Sequence, residues 1–505
     1  MKKIFSFLVL GFLAFLFTSC SRDTLEPYTP GLITEEVALQ NSTDLRTLMN
    51  TSYALMYNRN EIEFSSVFTD EVGIGFANGG QGLINDDAYF LFTLNPNSPV
   101  ASSVWTGNYI ALSRINRVIK YADILVPQND ADAKIIQDIK AEALIMRALA
   151  HLRIMSYFST DLSNDGALAG ILANRVFETN EKENPRVTNG EFYTQIHSDL
   201  DQAISIFTST ATAFNKTRAN SVLAKGLKAR AYAYKGNYTQ AEAMADQVIS
   251  TSGLQLAAGQ QYANVFWSDT ELPNQEVIFR LVKTLQQSSQ GSNLGNAWAS
   301  VNSTKDGSPF FEIGRSLFNI LQPSDVRYQI ILHNTSVVDP GYLSSPNYLA
   351  TDLLVLGKHR GGTAKGNLNV DYKVMRLSEM HLIKAEARAA AGDFAGVATA
   401  LNQLRAVRGG TPYVARTSQA LAYADILKER RIELAFEGFR FIDLKRLGTK
   451  AGVGIDRHPV DYTSSSTNYP AANPANLPMT SHKWTLPIPT EELTVNPNIG
   501  QNPGY

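Results

Sequence analysis

Small residues recur at fixed offsets between residues 223 and 251, and this constrains the fold more than any other feature of the chain. Ala229, Gly236, Ala241 and Ala245 alternate with Tyr232, Tyr238 and Val248. Ala229 and Ala241 leave room for two helix backbones to cross closely, and Gly236 allows the tight turn between them. The same offsets return from Leu377 onward in Ala385, Gly392, Phe394, Val397, Leu401 and Leu404. Ala385 stands 156 residues beyond Ala229. The two copies are therefore separated rather than tandem.

These are the offsets of a tetratricopeptide helix–turn–helix unit. Such units bury a continuous face only when about three or more stack, so helices around 40–58, 105–126 and 133–158 are expected to complete the stack. Within the last of these, Ile136, Ile139, Ala143, Met146 and Ala150 recur at three- and four-residue steps, the mark of one buried helix face. The expected fold class is mainly α. It is a tetratricopeptide-like helical repeat scaffold over about 36–58, 105–254 and 371–450, within a single domain spanning 36–505. Long irregular insertions cover about 59–104, 255–370 and 452–483, the second with a strand-like run at 276–282. Loops of this length in a compact protein usually carry function, so the ligand-binding face is expected there.

The chain opens with two lysines and an apolar run from Ile4 to Phe17, too short to span a bilayer and proportioned as an export signal over 1–19. Small Ser19 precedes Cys20, the only cysteine in 505 residues. One thiol cannot form an internal disulfide, which is unusual for a large exported protein unless that thiol serves another purpose. The pattern resembles a bacterial lipobox, in which the cysteine is lipidated. Residues 20–35, with Pro27, Pro30 and Gly31, read as the lipidated end and a flexible tether. A formal net charge of −2 gives no basic field for nucleic acid.

Residues 429–446, Glu-Arg-Arg-Ile-Glu-Leu-Ala-Phe-Glu-Gly-Phe-Arg-Phe-Ile-Asp-Leu-Lys-Arg, resemble the most characteristic motif of the SusD/RagB family. Further matches follow the family's order: Trp105, Tyr109 and Ile110 with Arg114-Ile-Asn116; Ala141-Glu-Ala143 with Arg147 and Tyr157-Phe158; Asp199-Leu200; Arg376-Leu-Ser-Glu379; Leu486-Pro-Ile-Pro489; and the closing Asn502-Pro-Gly-Tyr505. The Tyr-Gly-x-Val-Pro segment usual after the third helix is replaced by Phe158-Ser-Thr-Asp-Leu162. The resemblance implies an outer-membrane lipoprotein with palmitate on Cys20. It further implies capture of glycans, or in some members peptides, and partnership with a SusC-like TonB-dependent transporter in nutrient uptake. It implies no catalysis.

Glu429, Glu433 and Glu437 share one helix face at four-residue steps. Stacked carboxylates repel unless paired, and Arg430, Arg431, Arg440 and Arg446 are close in sequence, so an ion-pair network is expected rather than acid–base chemistry. The seven histidines form no metal-ligand spacing. No cofactor is expected, although calcium bound through scattered oxygens leaves no readable motif and stays open. Asp70 and Glu71, adjacent in a loop, make a poor facing pair for a glycosidase. A helical scaffold that binds only protein is the remaining rival. A sugar presents an apolar C–H face and a rim of hydroxyls, so its site needs an exposed aromatic platform beside Asn, Asp or Arg. Trp298, set among small polar residues, is the leading platform. Tyr89 beside Asp86-Asp87, and Phe76 with Asn78, are the further ligand-binding candidates. Trp105 and Trp484 read as core, whereas Trp267 fits either role.

A Cys20→Ser variant is expected to be exported yet lost from the membrane fraction and unlabelled by palmitate. Its retention in that fraction would remove the anchor assignment.

Overall fold

Asparagine, aspartate, serine and threonine side chains cap most of the long helices, satisfying backbone N–H groups that the first turn leaves open. The computed structural model describes residues 34–75, 89–178, 181, 183–268, 275–284, 293–298, 311–345, 351–361, 368–463 and 474–505. The chain divides into Met1–Gln40, whose described part holds one short helix at Glu35–Ala38, and Asn41–Tyr505. In the second unit Asn41 caps α1 (Ser42–Leu55) and Asn58 caps α2 (Arg59–Val67). After β1 (Val72–Ile74), Pro99 opens α3 (Pro99–Ile124), and Asn129 caps α4 (Asp130–Phe158). Thr188 and Glu191 form a reciprocal capping box at α5 (Asn189–Thr210).

Asn220 caps α6 (Ser221–Lys235), which ends at Gly236 with φ +83°, and Asn237 caps α7 (Tyr238–Thr251). Ala229 and Ala241 are fully buried where the two helices meet. The second hairpin repeats this plan: α11 (Leu377–Ala390), Gly392 at φ +72°, and α12 (Phe394–Arg408) capped by Asp393. The hairpins are adjacent in space, because α7 packs directly on α11. The stack runs α3, α4, α5, α6, α7, α11, with α12 and α13 (Gln419–Glu433) both lying on α11. Copies interrupted in sequence are thus neighbours in the fold.

The chain between α7 and α11 leaves the stack and returns. Its neck is an antiparallel pair of β2 (Val277–Leu281) and β4 (Tyr372–Arg376), Val277 lying opposite Arg376. Between these strands lie β3 (Phe311–Ile313), α9 (Arg315–Ile320) and α10 (Val326–Ile331), and α8 (Gln260–Trp267) precedes them. This segment holds more helix than expected, and 59–104 begins as α2 rather than as irregular chain. Ile62, Phe64 and Val67 of α2 are buried, and α14 (Arg440–Ala451) packs on it. Tertiary packing therefore supplies the stability that so short a helix lacks alone.

The three glutamates on α13 and the turn after it are paired, but mostly not with the arginines beside them in sequence. Arg376 reaches Glu433 at 2.7 Å and Glu437 at 2.7 Å. Arg408 bonds Glu433 at 2.9 Å and Glu276 at 2.8 Å. Glu429 lies between Arg327 at 2.6 Å and Arg405 at 2.7 Å, and Lys358 meets Glu437 at 2.7 Å. Burial works to raise the Glu433 carboxyl, yet Arg408 and Arg376 together hold it well below the usual carboxylate range. The local arginines serve other acids: Arg430 and Arg446 share Asp443 and Glu386, while Arg431 and Arg440 flank Asp70. Spacing along the chain revealed the need for pairing but not its partners, which come from β4, α10, α12 and the loop that holds Lys358.

Replacing Arg376 with Met leaves Glu433, Glu437 and Glu276 short of a buried counter-charge. The expected loss is about 3–5 kcal/mol in urea unfolding. A loss near zero would mean that the network relaxes around a hydrophobic side chain.

Candidate functional site

β1 and β3 form an antiparallel pair with Ile74 opposite Phe311. Asp461, on the short helical turn Val460–Thr463, presses its carboxylate against Gly73. A Cβ at Gly73 would stand 2.6 Å from Asp461 Oδ1, so the close approach requires glycine. The other oxygen, Oδ2, accepts a hydrogen bond from the backbone N–H of Arg315 at 3.0 Å. Three stretches distant in sequence are thereby pinned together.

The Arg315 side chain stays buried. Its Nη1 donates to Asp352 Oδ2 at 2.7 Å, and its guanidinium lies 3.6 Å from the centre of the Tyr342 ring. The Tyr342 hydroxyl accepts from Asn319 Nδ2 at 3.3 Å and stands 3.3 Å from His458 Nε2, the two rings 5.6 Å apart. Asn319 is exposed, and Tyr342 and His458 are half-buried. Burial and the nearby Arg315 push the His458 pKa down, favouring the neutral ring. An aromatic face held from beneath by a cation, with an amide and an imidazole at its edge, is suited to a polyol: ring C–H groups against the aromatic, hydroxyls against the polar edge. Sequence reasoning missed all four residues. The available signal was the turn-rich run Pro340-Gly-Tyr-Leu-Ser-Ser-Pro346, a tyrosine among residues that build loops.

Trp298 is not the platform expected. It is 3% exposed and packs edge-on against Phe436 at 5.1 Å, within a core that includes Ile313, Leu317 and Ile432. A single 3-10 turn at Leu294–Ala297 aims the indole inward, and its polar neighbours in sequence gave no sign of that. Tyr89 is likewise structural: its hydroxyl accepts from the Val100 N–H at 2.9 Å at the start of α3, and its ring meets Phe64 edge-on at 5.2 Å. Phe76, Asn78, Asp87 and Cys20 lie outside the described residues. Trp105 and Trp484 are core as expected, the Trp105 indole donating to Glu492 at 3.1 Å. Trp267 donates to the Gly357 carbonyl at 2.9 Å, and Arg360 lies over its ring at 3.6 Å.

Asp70 and Glu71 are buried and taken up by structural partners. Asp70 bonds Arg440 at 2.8 Å, while Glu71 accepts from Ser66 at 2.6 Å and from the Phe436 N–H at 3.2 Å. Burial pushes the Glu71 carboxyl up to about 7. Among the described residues no group of three or more His, Cys, Asp or Glu is placed to hold a metal ion, and no helix is long and apolar enough to cross a membrane.

A stack of tetratricopeptide-like hairpins carrying an irregular face defines a class of helical-repeat binding proteins. Two family models match: "SusD family" over residues 323–505, and "Starch-binding associating with outer membrane" over residues 35–233. SusD-like protein P2 of Formosa agariphila is 24% identical, the match covering 98% of this chain and 99% of that protein. A SusD superfamily protein of Bacteroides thetaiotaomicron superposes with a TM-score of 0.73 at 25% identity, over 92% of this chain and 100% of that one. A laminarin-binding SusD-like protein superposes at 0.65 with 23% identity, over 92% and 100%. The chain belongs to the SusD/RagB family.

Trp298→Ala is accordingly expected to cost about 3–5 kcal/mol of stability, as large aromatics removed from a packed core do. The change is read as a lowered urea midpoint. A midpoint equal to that of the wild type would return Trp298 to the surface.

Proposed function

We propose that this protein is a cell-surface lipoprotein that captures oligosaccharides at the Tyr342 cluster and delivers them to a SusC-like TonB-dependent transporter, without catalysing a reaction itself. The observation that carries the reading is Tyr342, stacked at 3.6 Å on an arginine that Asp352 fixes from behind. It is a half-exposed aromatic ring held against Arg315 and His458. A ring already immobilised loses little further entropy when a sugar stacks on it. The starch-binding description of one family model and the laminarin-binding neighbour both favour a glycan over a peptide as ligand. Lipidation of Cys20 would keep the body at the outer membrane, beside the barrel that receives the cargo. With Asp70 and Glu71 occupied by internal partners, neither carboxylate is available for hydrolysis.

Tyr342→Ala is expected to weaken binding of laminarin oligosaccharides about tenfold, the effect of losing about 1.4 kcal/mol. Calorimetry on a folded variant measures this directly, with starch oligosaccharides and short peptides titrated in parallel. Unchanged affinity would remove Tyr342 from the site. Binding confined to the peptides would replace the glycan reading with a peptide one.

A further inference from the structure

A cavity of about 460 Å3 opens among α1, α4, α5 and α6, a size ordinary for a small-molecule site. It shares no residue with the Tyr342 cluster. Its walls carry two large apolar side chains that packing has left in water: Phe214, 43% exposed, and Ile135, 47% exposed. Phe214 sits on the connection between α5 and α6, just beyond Ala211, whose φ of +50° ends α5.

The polar groups around Phe214 divide into spent and unspent. Arg46 clasps Glu142 through two bonds of 2.6 and 2.8 Å, so neither charge is available. Asp138 already accepts the hydroxyls of Thr210 and Thr212, at 2.7 and 2.6 Å, and retains further lone pairs. Asn215 uses its carbonyl oxygen on Thr217, at 2.8 Å, leaving its amide nitrogen open. Among the described residues the exposed Arg218 guanidinium takes no partner. Two arginines and two carboxylates line the cavity, so its local charge is balanced. A balanced site gains little from an anion or a cation. Open donors, an acceptor with spare lone pairs and a flat apolar ring face fit a neutral ligand with many hydroxyls.

We infer that this cavity is a second saccharide site, on the helical scaffold itself, taking one neutral sugar ring against Phe214 with its hydroxyls on Arg218, Asn215 and Asp138. The site stands independently of the Tyr342 reading. A glycan chain long enough to reach both places would be held twice, and its retention would exceed that of either site alone.

Amide hydrogen exchange on the full chain separates the two sites, because each is read from its own peptides. Maltotriose, laminaritriose, mannotriose and the galacturonic acid trimer serve as probes. A neutral trisaccharide is expected to slow exchange across residues 212–221. The concentration needed should rise about tenfold in Phe214→Ala and in Arg218→Met. Both residues are exposed, so an unchanged urea midpoint will verify that each variant is folded. No slowing at 212–221 with any neutral probe would overturn the inference, as would slowing that Phe214→Ala leaves intact. Stronger protection by the uronic acid trimer would overturn the charge argument and, with it, the neutral ligand. Slowing around Tyr342 and His458 alone would sink this site and spare the other, and the converse pattern would do the reverse.

Discussion

Removing an ion from water costs several kcal/mol, and a buried cluster recovers that cost only when every partner is in place. Arg376, Arg408 and Arg327 with Glu276, Glu429, Glu433 and Glu437 form such a cluster, all of them buried. Its members come from the neck of the excursion, the end of α12, the end of α13 and the helix α10 inside the excursion. A partial assembly would strand charges in a low dielectric, so partly docked arrangements are penalised and the complete one is selected. The network contributes less to net stability than an apolar core of equal volume would. What it specifies is register: which turn of α13 faces which strand.

That register reaches β1 and the excursion through one residue. Phe436, between Glu433 and Glu437, holds φ at +60°, a conformation that costs a bulky side chain about 1–2 kcal/mol. Four contacts fix it there. Its N–H donates to Glu71, its carbonyl oxygen lies 2.8 Å from His359 Nε2, Trp298 packs on its ring, and Lys358 bonds the carbonyl just before it. Glu71 adjoins β1 and His359 belongs to the excursion, so the strained residue joins the ionic centre to both.

Local chemistry was legible in the sequence where it was decided locally. Helix periodicity, the turn glycines at 236 and 392 and the small residues at the helix crossing follow from spacing, and the structure agrees with each. The shared helix face of the three glutamates holds only for Glu429 and Glu433, because α13 ends there and Glu437 lies in the turn beyond. Partner choice was not legible. The acids on α13 need cations, but nothing near them in sequence points to Arg376 or Arg327, because those pairings are set by the return of the excursion. The platform failed for a related reason. Exposure of Trp298 was argued from its neighbours along the chain, whereas exposure depends on neighbours in space. Tyr342 carries no sequence mark beyond its turn-rich setting, since its surroundings come from Arg315 and His458, brought beside it from either side in the chain.

The direct seam between α7 and α11 carries a further consequence. The two hairpins meet without help from the chain that separates them, and the β2–β4 neck closes that chain behind them. Loop-closure entropy grows only with the logarithm of length, about 0.6 kcal/mol for each doubling. The surface loops of the excursion can therefore lengthen or shorten at small thermodynamic cost, provided Arg327 and Lys358 still reach their acids and Trp298, Leu317 and Ile331 still fill the core against Phe436. Such a molecule separates the part that must stay constant from the part free to diverge, and ligand preference can drift while the frame beneath it is preserved.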